Sequence, residues 1–173
     1  MTESTGHVFL PAEAIAERVS DLAAAMDRAH RGEPLTLVAV LKGAMMLAVD
    51  LSRALTIPHR LETLQLSPYR GPSGGDRMRL VKDIDRPVRG EHVVVVEDVV
   101  DTGLTLHNVL RTLAPRGPAT LEVCALLDRP HRRLVDVDLR YTGFTAADRP
   151  VVGYGLGYRD RFRTLPDIRF LAA

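Results

Sequence analysis

The sequence of 173 residues lacks tryptophan and contains a single cysteine, so no disulfide can hold the fold together. That cysteine, Cys124, lies in the apolar run LEVCALL and is predicted to be a buried, reduced thiol. No apolar run reaches the roughly 20 residues that span a bilayer. The N-terminus also lacks the basic and then apolar pattern of a signal peptide. We therefore expect a cytoplasmic protein without a membrane partner.

Neither sign of charge is in excess. The chain has 23 basic and 22 acidic residues and a formal net charge of +1, which does not indicate nucleic-acid binding. Its six histidines form no i, i+4 pair and have no cysteine partner, so no zinc site is predicted. With 46% hydrophobic and 26% charged residues, the chain is predicted to form one domain over residues 1–173.

Strand and helix patterns alternate along the chain. Predicted strands cover residues 35–41, 60–66, 78–82, 92–98 and 119–128, with short strands from 138 onward, and predicted helices cover 11–29, 43–55 and a segment after residue 98. The segment 67–76 is rich in Gly, Pro and Ser and is predicted to be a mobile loop. This order is typical of an α/β fold with a mostly parallel, twisted sheet flanked by helices. In such sheets ligands bind beyond the carboxyl ends of the strands.

The most informative stretch is VVVVEDVVDTGLTL, in which a valine strand leads to Glu97, Asp98 and Asp101. The next residues open a helix: Thr102, Gly103, Leu104 and Thr105. Hydroxyls, a glycine and free N–H groups at a helix start can bind an anion. Neighbouring carboxylates can accept hydrogen bonds from ribose hydroxyls or hold hydrated Mg²⁺. Asp101 or Thr102 could instead simply cap the helix.

The order of strand, acid pair, aspartate, T-G-x-T and helix resembles the type I phosphoribosyltransferases, in particular their hypoxanthine-guanine branch. The resemblance implies a core at about residues 30–130, a small hood from the N- and C-terminal segments, and a mobile loop. It also implies that Glu97 and Asp98 contact the ribose and Mg²⁺, and that Asp101 to Thr105 bind the 5-phosphate. Asp101 would also serve as general base for the purine proton.

The resemblance extends over nearly the whole chain. LKGAMMLAVDL looks like the family's diphosphate loop, which implies that Lys42 and Gly43, together with Arg163, contact the diphosphate. In that family a cis peptide often precedes the lysine. The segment SPYRGPSGG resembles the mobile hood loop, with Pro68 and Tyr69 at its Ser-Tyr pair.

The base-binding end is assigned by the same resemblance. Its residues are Arg129, Pro150 and Val151. Arg129 stands where the family has a lysine that donates to the exocyclic oxygen of the purine, and Val151 where backbone groups contact the base edge. Pro150 replaces an aromatic residue that would stack on the purine. Gly157 replaces an aspartate associated with a second metal ion.

These features imply a Mg²⁺-dependent enzyme that transfers phosphoribose from phosphoribosyl diphosphate to a purine base, with hypoxanthine or guanine as the expected acceptor. Family members are dimers or tetramers, so we expect a homo-oligomer by analogy. Three alternatives stay open: a modified or deazapurine acceptor, a phosphoribosyl-diphosphate-sensing regulatory module, and a non-catalytic donor-binding protein.

Overall fold

A six-stranded sheet forms the centre of the computed structural model, which describes residues 4–70, 76–146 and 148–172. Its strands are β2 (Leu35–Val40), β3 (His59–Arg70), β4 (Asp76–Lys82), β5 (His92–Val100), β6 (Thr120–Asp128) and β7 (Tyr141–Thr145). They are ordered β4-β3-β2-β5-β6-β7, and every pair is parallel except β3 with β4. The predicted mostly parallel sheet is confirmed.

Helices cover both faces of this sheet. They are α1 (Ala12–Ala29), α2 (Met45–Ala54) and α3 (Leu104–Leu113). Strand β5 shows why two apolar faces are needed: Val94 and Val96 belong to the core beneath α1 and α2, whereas Val93 and Val95 belong to the core beneath α3. Successive side chains of a strand point to opposite faces, so a run of valines in the centre of a sheet requires cover on both. Within the described residues, no helix is both long and apolar enough to cross a membrane.

A second, antiparallel sheet joins the two ends of the chain. Strand β1 (Thr5–Leu10) pairs with β9 (Ile168–Leu171), which pairs with β8 (Val151–Val152). The sequence reasoning assigned no strand to β1. Its burial does not alternate, and its partner lies at the other end of the chain, so no local pattern identified it.

The predicted loop 67–76 is shorter than expected. Strand β3 continues to Arg70, and β4 resumes at Asp76. Pro68 lies beyond Leu64, the last residue of β3 that pairs with β2, so its missing N–H removes no hydrogen bond between these two strands. Residues 71–75 and the side chains of Pro68 and Tyr69 lie outside the described part of the chain.

The topology brings three chain segments to one edge of the sheet. Strands β2, β5 and β6 are parallel and end there at Val40, Val100 and Asp128. The segments that follow them carry Lys42, Asp101 and Arg129, respectively. The predicted site is therefore expected at this edge of the sheet.

Truncation of the central core should be costly. Leu37 lies in β2 and is fully buried, so Leu37→Ala is expected to lower the free energy of unfolding by about 2–5 kcal/mol through lost contacts and a cavity. Leu134→Ala is the control, since Leu134 is 74% exposed, and it should change stability by less than about 0.5 kcal/mol. Urea unfolding would measure both. Equal losses would contradict this description of the core.

Candidate active site

Two adjacent carboxylates lie near the carboxyl end of β5. Glu97 is only 7% exposed, and its Oε2 has no hydrogen-bond partner among the described residues. The Asp98 carboxylate accepts the Val99 N–H at 2.7 Å. Burial raises the pKa of both carboxyls, and for Glu97 the neighbouring Asp98 charge raises the pKa further. The pair is therefore suited to a cationic or hydroxyl-bearing ligand, which would lower the cost of ionisation.

The loop after Lys42 packs directly against this acid pair. A Cβ atom at Gly43 would overlap the Asp98 carboxylate, and one at Gly155 would overlap the Gly43 carbonyl oxygen. Only residues without side chains allow these three backbone segments to approach so closely. The expected cis peptide is present between Leu41 and Lys42. The sheet thus places the predicted diphosphate loop beside the predicted ribose-binding acids.

Past the acid pair, the chain forms a cleft of about 270 Å³ at the start of α3. The cleft is lined by Glu97, Asp98, Val99, Val100, Asp101, Thr102, Gly103, Thr105 and Leu106. Gly103 has φ +82°, a left-handed conformation that favours glycine, and it precedes the helix without a side-chain cap. Thr102 Oγ1 accepts the Leu104 N–H at 3.4 Å, and the remaining first-turn N–H groups can bind an anion.

Asp101 lines this cleft and is paired with Arg129. The Arg129 Nη1 atom lies 3.1 Å from Asp101 Oδ1, while Nη2 donates to the Arg149 carbonyl at 2.8 Å. Arg129 is only 5% exposed, and its Nε has no partner within the described residues. Pro150 is exposed and Val151 begins β8. One guanidinium therefore joins Asp101 to the segment that carries the predicted base-binding residues.

The two predicted diphosphate cations meet at one carboxylate. Lys42 Nζ lies 3.0 Å from Asp160 Oδ1, and Arg163 Nη2 lies 3.3 Å from the same oxygen. Arg163 also donates to the Gly155 carbonyl at 2.7 Å. The sequence reasoning did not identify Asp160, because it lies between two arginines in a charged stretch that resembles an ordinary solvated surface.

The lack of a side chain at Gly157 leaves room for Arg163. A Cβ atom at residue 157 would lie 2.7 Å from Arg163 Cζ and 2.8 Å from its Nε. The arginine side chain therefore occupies the space that a side chain at residue 157 would need. This packing gives a structural reason for the glycine where the resemblance would place an aspartate.

Comparisons with known proteins agree with this geometry. The family model of the phosphoribosyl transferase domain matches residues 9–159. The chain belongs to the phosphoribosyltransferase family. It is 42% identical over 165 residues to a hypoxanthine-guanine phosphoribosyltransferase of Mycobacterium avium, covering 91% of this chain and 81% of that protein.

Two further relatives extend the similarity. A hypoxanthine phosphoribosyltransferase of Salmonella typhimurium is 38% identical over 165 residues, which cover 94% of this chain and 93% of that one. A crystal structure of a hypoxanthine-guanine phosphoribosyltransferase from Bacillus anthracis superposes with a TM-score of 0.93 at 34% identity, covering 99% of this chain and 100% of that one. The expected type I phosphoribosyltransferase fold is thereby confirmed.

The buried acid pair of this phosphoribosyltransferase should reduce its stability at neutral pH. Because burial raises its pKa in the folded chain, Glu97 binds its proton more tightly there than in the unfolded chain, where its pKa is the ordinary 4.5. Stability therefore falls as the pH rises toward the raised folded pKa. Glu97→Gln removes this loss and should raise the free energy of unfolding by about 1–3 kcal/mol at neutral pH, with little gain at acid pH.

Urea unfolding at acid and neutral pH would check this expectation. Glu62→Gln is the matched control, since Glu62 is also buried but accepts the Asp85 N–H at 2.8 Å. The Glu62→Gln variant replaces the charged acceptor of the Asp85 N–H with a neutral one, so its free energy of unfolding should not rise. A neutral-pH loss of stability in Glu97→Gln would contradict the proposed cost of the buried pair.

Proposed function

We propose that this protein transfers the 5-phosphoribosyl group from phosphoribosyl diphosphate to a purine base in purine salvage, with hypoxanthine or guanine as acceptor and diphosphate as product. The observation that carries the proposal is the position of Asp101. It lies between an anion-binding helix start and the buried cation Arg129, and it is only partly exposed. The names of the similar enzymes point to the same acceptor bases.

The donor is proposed to bind along the carboxyl edge of the sheet. Its 5-phosphate would accept from the residues between Thr102 and Thr105, and its ribose hydroxyls would donate to Glu97 and Asp98. Lys42 and Arg163 would neutralise the leaving diphosphate, with Gly43 allowing a close approach of the backbone. The diphosphate would replace Asp160 as the anion between these two cations. Positioning and charge stabilisation would then supply most of the rate enhancement.

Asp101 is the proposed general base. The bond between C1 and the diphosphate oxygen would loosen, and a purine nitrogen would attack C1 from the opposite face. The Asp101 carboxylate would accept the proton that the purine loses. Arg129 would donate to the 6-oxo group while still facing Asp101, because a guanidinium has five N–H donors. This pairing favours a 6-oxopurine over a 6-aminopurine.

The acid pair is also proposed to hold Mg²⁺. The chemistry of the donors fits, because Glu97 Oε2 is buried and has no hydrogen-bond partner in the described part of the chain, and Mg²⁺ prefers carboxylate oxygens. Within the described residues, no group of three or more His, Cys, Asp and Glu side chains could enclose a metal ion. Two carboxylates could hold a Mg²⁺ ion whose other ligands are substrate oxygens and water. When bound, Mg²⁺ would neutralise the charge of the diphosphate.

Base choice depends on the segment after Arg149. Pro150 would pack on the purine face without aromatic stacking. Such stacking contributes about 0.5–1.5 kcal/mol in addition to the burial of apolar surface. The backbone of Val151 would contact the base edge. The predicted homo-oligomer and the absence of a nucleic-acid partner both stay predictions.

Asp101→Asn should remove most of the activity while the protein stays folded. Loss of a general base lowers kcat by about 100- to 10,000-fold. The assay would follow nucleotide formation by mass from phosphoribosyl diphosphate, Mg²⁺ and a panel of hypoxanthine, guanine, xanthine, adenine and a 7-deazapurine. The charge-matched control is Asp85→Asn, which alters a surface aspartate paired with Lys82 and should retain activity.

The outcomes separate the open alternatives. Turnover of a 6-oxopurine that falls sharply in Asp101→Asn supports the proposal. Turnover of the 7-deazapurine alone would make the enzyme one for a modified base. Binding of phosphoribosyl diphosphate without turnover of any base would leave the regulatory or non-catalytic alternative.

A side chain at residue 157 should weaken diphosphate binding. Gly157→Ala requires Arg163 to move and to lose its contact with Gly155, so the Kd for diphosphate should rise about tenfold. The same change in an Arg163→Ala background should have little effect, because the displaced group is already absent. Calorimetric titration of the four proteins would measure the coupling. Equal effects in both backgrounds would contradict it.

A further inference from the structure

The segment after β6 holds the phosphate loop through its carbonyl oxygens. Arg133 Nη1 donates to the Val100 carbonyl at 3.1 Å and to the Asp101 carbonyl at 2.8 Å. The N–H groups of Leu134 and Val135 both donate to the Thr102 carbonyl at 3.0 Å. Three successive carbonyl groups of the loop are therefore bound to residues 133–135.

Arg133 is itself fixed. Its side chain is 14% exposed, and its Nη2 donates to Asp128, the last residue of β6. Because β6 pairs with β5 as far as Val100 and Asp128, this carboxylate is anchored in the sheet. The guanidinium thus joins a rigid strand to the loop, and its planar fork allows it to bind a carboxylate and two carbonyls at once.

The hydrogen bonds from residues 133–135 determine which polar groups of the phosphate loop remain for a ligand. With these carbonyl oxygens bound and the Asp101 carboxylate paired with Arg129, the N–H groups and hydroxyls of the loop are left to face an anion. Gly103 has φ +82°, and a Cβ there would overlap the Val135 carbonyl, so residues 133–135 also fix the turn into α3. An anion is bound by groups that donate hydrogen bonds, as these N–H groups and hydroxyls can.

We propose that Arg133 is a positioning residue for the 5-phosphate, acting through the backbone of Val100 to Thr102. This inference rests on the proposed function, since it takes that loop as the phosphate site. Arg133 does not line the phosphate cleft. It lines a separate cleft of about 580 Å³ with Asp128, Asp136 and Val137. Its effect must therefore pass through the loop.

Arg133→Met tests this role. The Kd for inosine 5′-monophosphate, measured by calorimetric titration, should rise about tenfold, because the Val100 and Asp101 carbonyls lose the Arg133 guanidinium. The Val100 carbonyl keeps the Arg129 N–H at 3.0 Å and the Thr102 carbonyl keeps its two main-chain donors, so the effect should centre on the Asp101 peptide. The KM for hypoxanthine at saturating phosphoribosyl diphosphate should stay within about twofold, since the base end is untouched. Arg133→Lys keeps a donor without the planar fork and should restore part of the affinity.

Arg116→Met is the matched control. Arg116 makes a similar set of contacts at the far end of α3, where Nε donates to the Thr112 carbonyl at 3.1 Å and two nitrogens contact Asp83 at 2.8 and 2.9 Å. Its loss should lower the melting temperature and leave the Kd for inosine 5′-monophosphate unchanged. Thermal unfolding would show how far each variant is destabilised.

Two results would overturn the inference. One is an unchanged Kd for inosine 5′-monophosphate in Arg133→Met; the other is a hypoxanthine KM that rises as much as this Kd. If Arg133→Met does not fold, Arg133→Lys decides by the same two measurements. A wild-type protein that binds no inosine 5′-monophosphate would overturn the proposed function itself, and this inference with it.

Discussion

Two carboxylates at the end of the central strand impose the main constraint on this structure. Burial of Glu97 and Asp98 side by side is unfavourable, as their raised pKa values show. Yet the surrounding chain packs against them: the Asp98 carboxylate leaves no space for a side chain at Gly43. A fold selected for stability alone would have neutral groups there. The two acids are explained by a ligand-binding role, in which a ligand supplies the hydroxyl donors or the positive charge that these carboxylates lack.

Much of this arrangement could be predicted from local patterns. The valine run of β5 and the T-G-x-T turn after it carry a strong local signal, because a strand buried on both faces and a helix start each need particular residues nearby. The extra strand β1 carried none, since its pairing with β9 depends on residues at the other end of the chain. The loop predicted at 67–76 was too long, because Gly and Pro content does not reveal how far an edge strand continues.

The site shows the same division between local and distant information. Lys42, the segment from Glu97 to Thr105 and Arg129 follow strands whose carboxyl ends coincide at one edge of the sheet. The predicted residues Pro150, Val151 and Arg163 come instead from the C-terminal segment. Their partners were not predictable. Asp160 meets Lys42 only because a turn near the C-terminus returns to the loop after β2. Such contacts depend on tertiary geometry, for which a single sequence gives no period or motif.

Arginine at residue 129 changes how the two halves of the site are connected. A lysine offers one ammonium group, whereas the planar guanidinium contacts the Asp101 carboxylate and the Arg149 carbonyl with separate nitrogens. The proposed proton acceptor is thereby tied to the segment leading into Pro150 and Val151. Arg133 meanwhile binds the main-chain carbonyl of the same aspartate. Because Arg129 contacts both the Asp101 carboxylate and the Arg149 carbonyl, a change in the base-binding segment that moves Arg129 should also move the carboxylate, and base specificity and proton transfer should vary together.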